Sequence, residues 1–248
     1  MNSTVDVLSL TYNQAVFIPS LFESIISQTY RPLRLVLVND CSIDATDKVV
    51  REYLPKLFEA NIECEYILMP QNTKAIGAFD RGRENLTGEY VAFLDGDDFY
   101  KPTKIQESME FLQKNPKYSM MHTDLDCLYE SGEYQKEFWK SVGVNQGMSE
   151  TSFEYLLPGN RCHTPTIVVK TEVYLQTPTH EEMNRRGYIM GDYPAWLWIS
   201  KRYKIGYLDK SLSVYRVINK SKSHDPRLRP AFIEATKIIQ RDAAQGKL

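Results

Sequence analysis

The sequence predicts an α/β protein built on a mainly parallel sheet. Two observations carry this: strand-like and helical stretches alternate through its first hundred residues, and two of the strands run out into clusters of acids. Val5–Leu10, Leu33–Val38, Cys64–Met69 and Glu89–Leu94 are short and rich in Val, Leu, Ile, Tyr and Phe, as buried strands are. After the first comes a stretch with Phe17, Leu21, Ser24, Ile25 and Gln28 on one helical face. After the second, Ser42 and Asp44 are cap candidates ahead of Val49, Val50, Tyr53, Leu54 and Leu57. Strand–helix–strand spacing of this kind makes βαβ units, hence parallel pairing with right-handed crossovers and helices over both faces. Lys101-Pro102 starts a further helix through about Leu112, and Asn115-Pro116 stops it.

The second half is less regular. Tyr118–Tyr129 and Thr166–Lys170 read as strands, with Ser131-Gly132 as a turn. Asp192–Tyr203 reads as an amphipathic helix, followed by short strands near Ile205–Leu208 and Leu212–Val217. Asn219–His224 is a polar loop and Pro230–Ala244 a closing helix. With no repeat and no linker-like shift in composition, the expected layout is one domain over 1–248, with parts at 1–115, 116–225 and 226–248.

Composition bounds the function. The chain has 248 residues, with 30 Lys+Arg against 32 Asp+Glu. That balance argues against a nucleic-acid binder, which would show a basic excess. Hydrophobic residues at 42% supply a sizeable core and exclude global disorder. The longest apolar runs, such as Tyr90-Val91-Ala92-Phe93-Leu94, fall far short of the roughly 18 residues a membrane span needs. The N-terminus lacks the basic and apolar regions of a signal peptide. Cys41, Cys64, Cys127 and Cys162 are irregularly spaced, which reads as reduced thiols. The expectation is a soluble protein of the cytoplasm.

Asn39-Asp40-Cys41-Ser42-Ile43-Asp44 follows the second strand, and Asp95-Gly96-Asp97-Asp98 the fourth. In open parallel sheets ligands bind beyond the carboxyl ends of strands, so both clusters fall where a site belongs. Crowded carboxylates repel, and a cation or donor-rich ligand compensates them. An oxygen-only set suits Mg²⁺ or Mn²⁺. Asp-Gly-Asp is also ordinary turn chemistry; the second acidic strand end tips the balance toward a site. GxGxxG after a strand, GxxxxGK[ST], HExxH and GxSxG are all absent.

Four runs, in order, carry a resemblance: Ser9-Leu10-Thr11-Tyr12-Asn13; Ser27-Gln28-Thr29-Tyr30; Val38-Asn39-Asp40-Cys41-Ser42-Ile43-Asp44-Ala45-Thr46; and Thr87-Gly88 through Asp95-Gly96-Asp97-Asp98. With them the chain resembles the family 2 glycosyltransferases of GT-A fold, closely over about residues 4–112 and more weakly through Gly191-Asp192 and Val214-Tyr215-Arg216. The resemblance implies a Rossmann-like nucleotide-binding half with a C-terminal elaboration on the acceptor side. It also implies a nucleotide-diphospho-sugar donor, a divalent metal held by a DxD motif, and transfer with inversion. Asp95 and Asp97 match the DxD pair, Asp97 for the metal and Asp95 for the ribose or the metal. Asp40 matches the acid that contacts the base, with Thr11 and Tyr12 lining the same pocket, and Asp192 matches the general base. UDP is the favoured nucleotide, since an acid at Asp40 accepts the imino N–H of uracil.

The chain departs from the family pattern in two places. The Arg expected near the nucleotide is Phe79, with Lys74 and Arg81 as candidate substitutes. The His expected two residues after Tyr215-Arg216 is Ile218, which leaves His224 to supply that metal or diphosphate contact from further along the loop.

Sugar transfer requires the departing diphosphate to be neutralised and the acceptor hydroxyl to be deprotonated. Asp192 can do the second; as an acid at a helix start it also reads as a plain cap, and the helix dipole favours its ionised form. Trp196 reads as core before acceptor wall, and His163 as structural. Arg185-Arg186 and Lys220–Lys222 read as solvated charge; together they would attract a lipid-linked pyrophosphate acceptor at a membrane surface. Two rivals remain. A sugar-nucleotide nucleotidyltransferase would need an N-terminal Gly-rich loop and a basic residue, which Asn13-Gln14-Ala15 does not offer. A non-catalytic binding module would not need Asp40, Asp95, Asp97 and Asp192 all intact.

Overall fold

The computed structural model describes residues 2–219, 221 and 224–248. In chain order its elements are β1 (Val5–Thr11), α1 (Ile18–Ile26), β2 (Leu33–Asn39), α2 (Thr46–Glu59), β3 (Glu63–Leu68), α3 (Lys74–Arg83), β4 (Tyr90–Phe93), β5 (Phe99–Tyr100), α4 (Lys104–Lys114) and β6 (Tyr118–Tyr129). Then follow β7 (Tyr134–Gln135), α5 (Phe138–Ser141), β8 (Glu150–Thr151), α6 (Phe153–Leu156), a 3-10 turn (Thr164–Thr166), β9 (Val168–Lys170) and α7 (Thr171–Tyr174). The chain closes with α8 (His180–Arg185), α9 (Asp192–Ser200), β10 (Lys204–Val217) and α10 (Arg229–Ala244).

One sheet runs through the molecule in the order β3-β2-β1-β4-β9-β6-β10-β5, with β7 beside β6 and β8 beside β10. Its long ladders, β3–β2–β1–β4 and β6–β10, are parallel. The antiparallel pairings are two or three residues each, and β9 supplies the reversal between β4 and β6. The expected mainly parallel α/β architecture is therefore the observed one.

Burial on both faces explains the continuous apolar runs. From β1, Val5 and Val7 join one core with α1, α2 and α4, while Leu8 faces the other with Phe93, Met183, Trp196 and Ile239. In α1, Ile18, Leu21, Phe22 and Ile25 are fully buried, each worth roughly 1.5–3 kcal/mol of transfer free energy.

Two of the family-like runs are structural pins. Gln28 Nε2 donates to the carbonyls of Ser24 and Lys101, and its Oε1 accepts from Ile105 N, tying α1 to the start of α4. Buried Asp6 accepts from the backbone N–H groups of Thr87 (2.7 Å) and Gly88 (2.9 Å). A Cβ at Gly88 would lie 3.0 Å from Asp6 N and from Thr4 O, so the turn into β4 needs glycine.

Several expectations need correction. The segment read as two strands, Ile205–Leu208 and Leu212–Val217, is the single strand β10; its register against β6 shifts between Leu208 and Ser211 and again before Val214, where the apolar pattern breaks. α9 ends at Ser200 and is not amphipathic: Tyr193, Ala195, Trp196, Leu197 and Ile199 are all buried, because α10 covers the side turned away from the sheet. α2 is preceded by Ala45, with no side-chain cap; Asp44 instead accepts from Thr46 N (2.9 Å) and Thr46 Oγ1. α4 starts two residues beyond Pro102. Of the Lys220–Lys222 run, Lys220 and Lys222 lie outside the described residues. No helix among the described residues is long and apolar enough to cross a membrane.

Candidate functional site

The carboxyl ends of β2, β1 and β4 lie side by side, and the loops leaving them interlock. Asn13 and Cys41 adopt the left-handed region (φ 54° and 61°). Asn13 N donates to Ser42 Oγ, and Ile43 N donates to Asn13 Oδ1. Gly96 N donates to Leu10 O at 2.8 Å. A Cβ at Gly96 would sit 2.9 Å from that carbonyl and 3.0 Å from Thr11 Cβ, so the middle residue of Asp95-Gly96-Asp97 has to be glycine for the acids to lie this close to β1.

Along this edge Thr11 is buried, Tyr12 is 44% exposed, and Asp40 is buried with its Oδ1 accepting from Thr73 N and Thr73 Oγ1, both at 2.8 Å. None of the three lines the main cleft, a space of about 500 Å³ that opens beside Asp95. The walls of the cleft include Phe79, His180, Asp192, Trp196, Tyr215 and His224. Asp97 lies on the acidic loop but outside the cleft lining.

The electrostatics follow from burial. Desolvation, reinforced by the charges of Asp97 and Asp192, pushes Asp95 up to about 7. Burial also raises Asp97, against hydrogen bonds from a backbone N–H and the Gln14 side chain and the charge of Arg216. Asp98 is raised well above the usual carboxylate range by burial and by its two acidic neighbours. It accepts from Arg216 N at 2.8 Å, and the Arg216 guanidinium packs over Phe17 and Phe99 while donating to Ser20 Oγ.

Across the cleft, Asp192 is the first residue of α9, with Gly191 in the cap position, so it is not the helix cap. Burial raises its pKa above the usual carboxylate value despite hydrogen bonds from Tyr193 N and Asn160. The helix dipole favours the ionised form, and burial works against it. Asn160 Nδ2 donates to Asp192 Oδ2 at 2.7 Å. Trp196 is 2% exposed, packs edge-on against Phe93 and forms the floor of the cleft. His163 is half-buried between Trp139 and Tyr215, and desolvation with the charge of His224 pulls its pKa down to about 4, so it is neutral. His224 Nε2 lies 3.1 Å from Tyr215 Oη.

Phe79, where the family pattern has Arg, stacks on the ring of His180 at 4.7 Å. Of its two candidate substitutes, Arg81 is paired with Glu84 away from the cleft and Lys74 is exposed outside the cleft lining. Arg185 pairs with Glu181, and Arg186 donates to Lys247 O. Sequence reasoning missed Asn160, Asp80 and His180. Their partners lie 32 and 100 residues away, and no local spacing marks them.

A mainly parallel sheet with crowded acids at the end of β4, and with Asp95 and Asp192 on one cleft, matches the GT-A class of glycosyltransferase fold. The chain belongs to the glycosyl transferase family 2, a family of glycosyltransferase enzymes, whose model matches residues 6–141. An uncharacterized glycosyltransferase of Haemophilus influenzae is 25% identical over 86% of this chain and 65% of its own length. The putative teichuronic acid biosynthesis glycosyltransferase TuaG of Bacillus subtilis is 26% identical over 88% of this chain and 81% of its own length. In fold, the chain is similar to S. aureus TarS residues 1–349 in complex with UDP-GlcNAc, with a TM-score of 0.69 and 18% identity over 96% of this chain and 65% of that one. The Pyrobaculum calidifontis mannosyltransferase PcManGT with GDP-Man and Mn²⁺ gives a TM-score of 0.64 and 15% identity over 99% of this chain and 74% of that one. The chain thus spans just under two thirds of the length of the Haemophilus relative and of TarS residues 1–349, and 39% of the longer TarS chain.

Proposed function

We propose that the protein transfers a sugar from a nucleotide-diphospho-sugar, UDP-linked by preference, to a saccharide or lipid-linked saccharide, with inversion and with the help of Mn²⁺ or Mg²⁺. The observation that carries this reading is the placement of Asp95 and Asp192 on one cleft, close enough for the charge of one to raise the proton affinity of the other. Support comes from TuaG, named for teichuronic acid biosynthesis, and from fold neighbours that hold UDP-GlcNAc or GDP-Man with Mn²⁺. The setting would be surface-polysaccharide assembly at the cytoplasmic face of a membrane, with peripheral contact to reach a lipid-linked acceptor. Nucleic acid has no part in it.

The acids at the end of β4 fit a divalent cation. Burial and mutual repulsion leave Asp95, Asp97 and Asp98 with raised proton affinity, which a cation would relieve. Among the described residues no three His, Cys, Asp or Glu converge on one point. Asp97 and Asp95 would therefore hold the ion, with water and diphosphate oxygens completing its shell; His224, expected as a further ligand, lines the cleft but forms no three-ligand group with them. An ion held there would supply positive charge to the departing diphosphate.

The chain's own residues do the rest. Asp40 accepts the imino N–H of uracil on Oδ2, its Oδ1 being taken by Thr73, with Thr11 and Tyr12 beside the base. Asp192, oriented by Asn160, takes the acceptor hydroxyl proton. The acceptor oxygen bonds to the anomeric carbon as the bond to the diphosphate oxygen breaks on the opposite face, which inverts the centre. The raised pKa of Asp192 makes its carboxylate a stronger base.

A thermal-shift screen of UDP-, GDP- and TDP-sugars with and without Mn²⁺ tests the reading, since a ligand raises apparent stability by mass action. The expected result is a Mn²⁺-dependent shift with at least one UDP-sugar, followed by release of UDP. A protein that binds none of the panel refutes it.

A further inference from the structure

His180 is fixed from three sides. Asp80, on α3, accepts from the His180 backbone N–H (2.9 Å), from ring Nδ1 (3.2 Å) and from Glu181 N (2.9 Å). The face of the ring lies on Phe79, with the two planes 6° apart. A capping box holds the start of α8: Thr179 Oγ1 accepts from Glu182 N while Glu182 Oε2 accepts from Thr179 N. On the remaining side the ring crosses Gly191. A Cβ there would overlap His180 Cδ2 and Nε2, so the imidazole fills the volume that any side chain at 191 would need.

The ionised Asp80 carboxylate is acceptor-only, so it takes the Nδ1 proton and leaves Nε2 on the edge toward Gly191. Burial alone would raise Asp80, but its bonds from His180 and Glu181 hold it below the usual carboxylate range. Phe79, His180, Gly191 and Asp192 all line the cleft. The nucleotide edge at Asp40 lies outside that cleft, while Asp95 and Asp192 both line it. A donor laid from Asp40 past Asp95 would bring its transferred sugar into the cleft that His180 also lines.

We infer that His180 is a specificity-determining residue that hydrogen-bonds a hydroxyl of the transferred sugar through Nε2, with Asp80 and Phe79 setting the ring and Gly191 giving it room. The inference rests on the function proposed above and adds to it which side chain reads the sugar as distinct from the nucleotide.

The test compares affinity for UDP-GlcNAc with that for UDP, both with Mg²⁺, by calorimetry; GDP-Man and GDP replace them where the screen selects guanine. His180→Asn keeps a donor for Asp80 but has nothing at the Nε2 position; His180→Gln reaches that position. His180→Asn should lower the sugar-nucleotide to nucleotide affinity ratio about tenfold, the scale of one lost buried hydrogen bond, with UDP affinity unchanged and His180→Gln recovering part of the ratio. The chain has four histidines, so imidazole NMR gives a second reading: UDP-GlcNAc should move the His180 signals beyond the change UDP causes. An unchanged ratio in His180→Asn, or equal shifts with both ligands, overturns the inference while the transferase reading stands. If the wild type takes no nucleotide sugar, both fall.

Discussion

Replacing Asp192 with Asn tests the chemistry while leaving the architecture alone. The two side chains have nearly the same volume, and α9 does not depend on this one for its cap, because Gly191 occupies that position. The amide oxygen can still accept the 2.7 Å bond from Asn160. What disappears is the ability to take a proton, and a positioned general base is worth about 10²–10⁴ in rate, or roughly 3–5 kcal/mol of barrier. The competing cost is the weakening of the Asn160 bond from charged to neutral. That is about 1 kcal/mol, which is roughly fivefold. A drop in kcat of a hundredfold or more, with UDP affinity within about twofold of wild type, therefore assigns the base. The assay is UDP release under saturating donor and acceptor, with UDP binding followed by calorimetry. Turnover within about fivefold of wild type would refute the assignment, since the orienting bond alone accounts for that much.

Three further outcomes are expected. Asp97→Ala should abolish the Mn²⁺-dependent part of donor binding and turnover while the melting temperature of the ligand-free protein stays level or rises, because a carboxylate disfavoured by burial has been removed; retained metal dependence contradicts the DxD role. CDP should bind about ten- to a hundredfold more weakly than UDP, the cost of about 1–3 kcal/mol for a polar pair left unmade at Asp40; calorimetry showing tighter binding of CDP would contradict it. Burial pulls Lys104 down to about 7 from its ordinary 10.5, so the unfolded chain holds a proton that the folded chain lacks across that window. Stability should then rise with pH there, the full penalty applying below about 7 and vanishing above about 10.5. Relative to Lys104→Met, the wild type should gain about 2–3 kcal/mol between about pH 7.5 and 9.5, as read from urea unfolding; parallel curves for the two proteins would rule this out.

Legibility in the sequence followed the range of the forces involved. The strands β1, β2 and β4 could be read because a strand buried on both faces demands an unbroken apolar run, and the acids after β2 and β4 stand out against it. β10 was obscured because Asp209, Lys210 and Ser211 interrupt the apolar pattern where the register shifts. The short helices α5 to α8 have four to six residues and are too brief to show a helical period. Asp95, Asp97 and Asp40 were visible through motif and strand position together. Asn160 and His180 were not, because what gives them a role is a contact made only after folding.

The overlap between the ring at 180 and any Cβ at 191 makes these two positions order-dependent in sequence change. A larger residue at 191 is blocked while the imidazole is in place, whereas shrinking 180 is open from the start and leaves a vacancy beside the acid at 192. A side chain at 191 therefore requires the ring at 180 to move or to be replaced by a smaller group. The same substitution at 191 would be damaging in one background and neutral in the other. Single-site scans of this protein would record 191 as invariant, and only paired libraries would reveal that the constraint belongs to its neighbour.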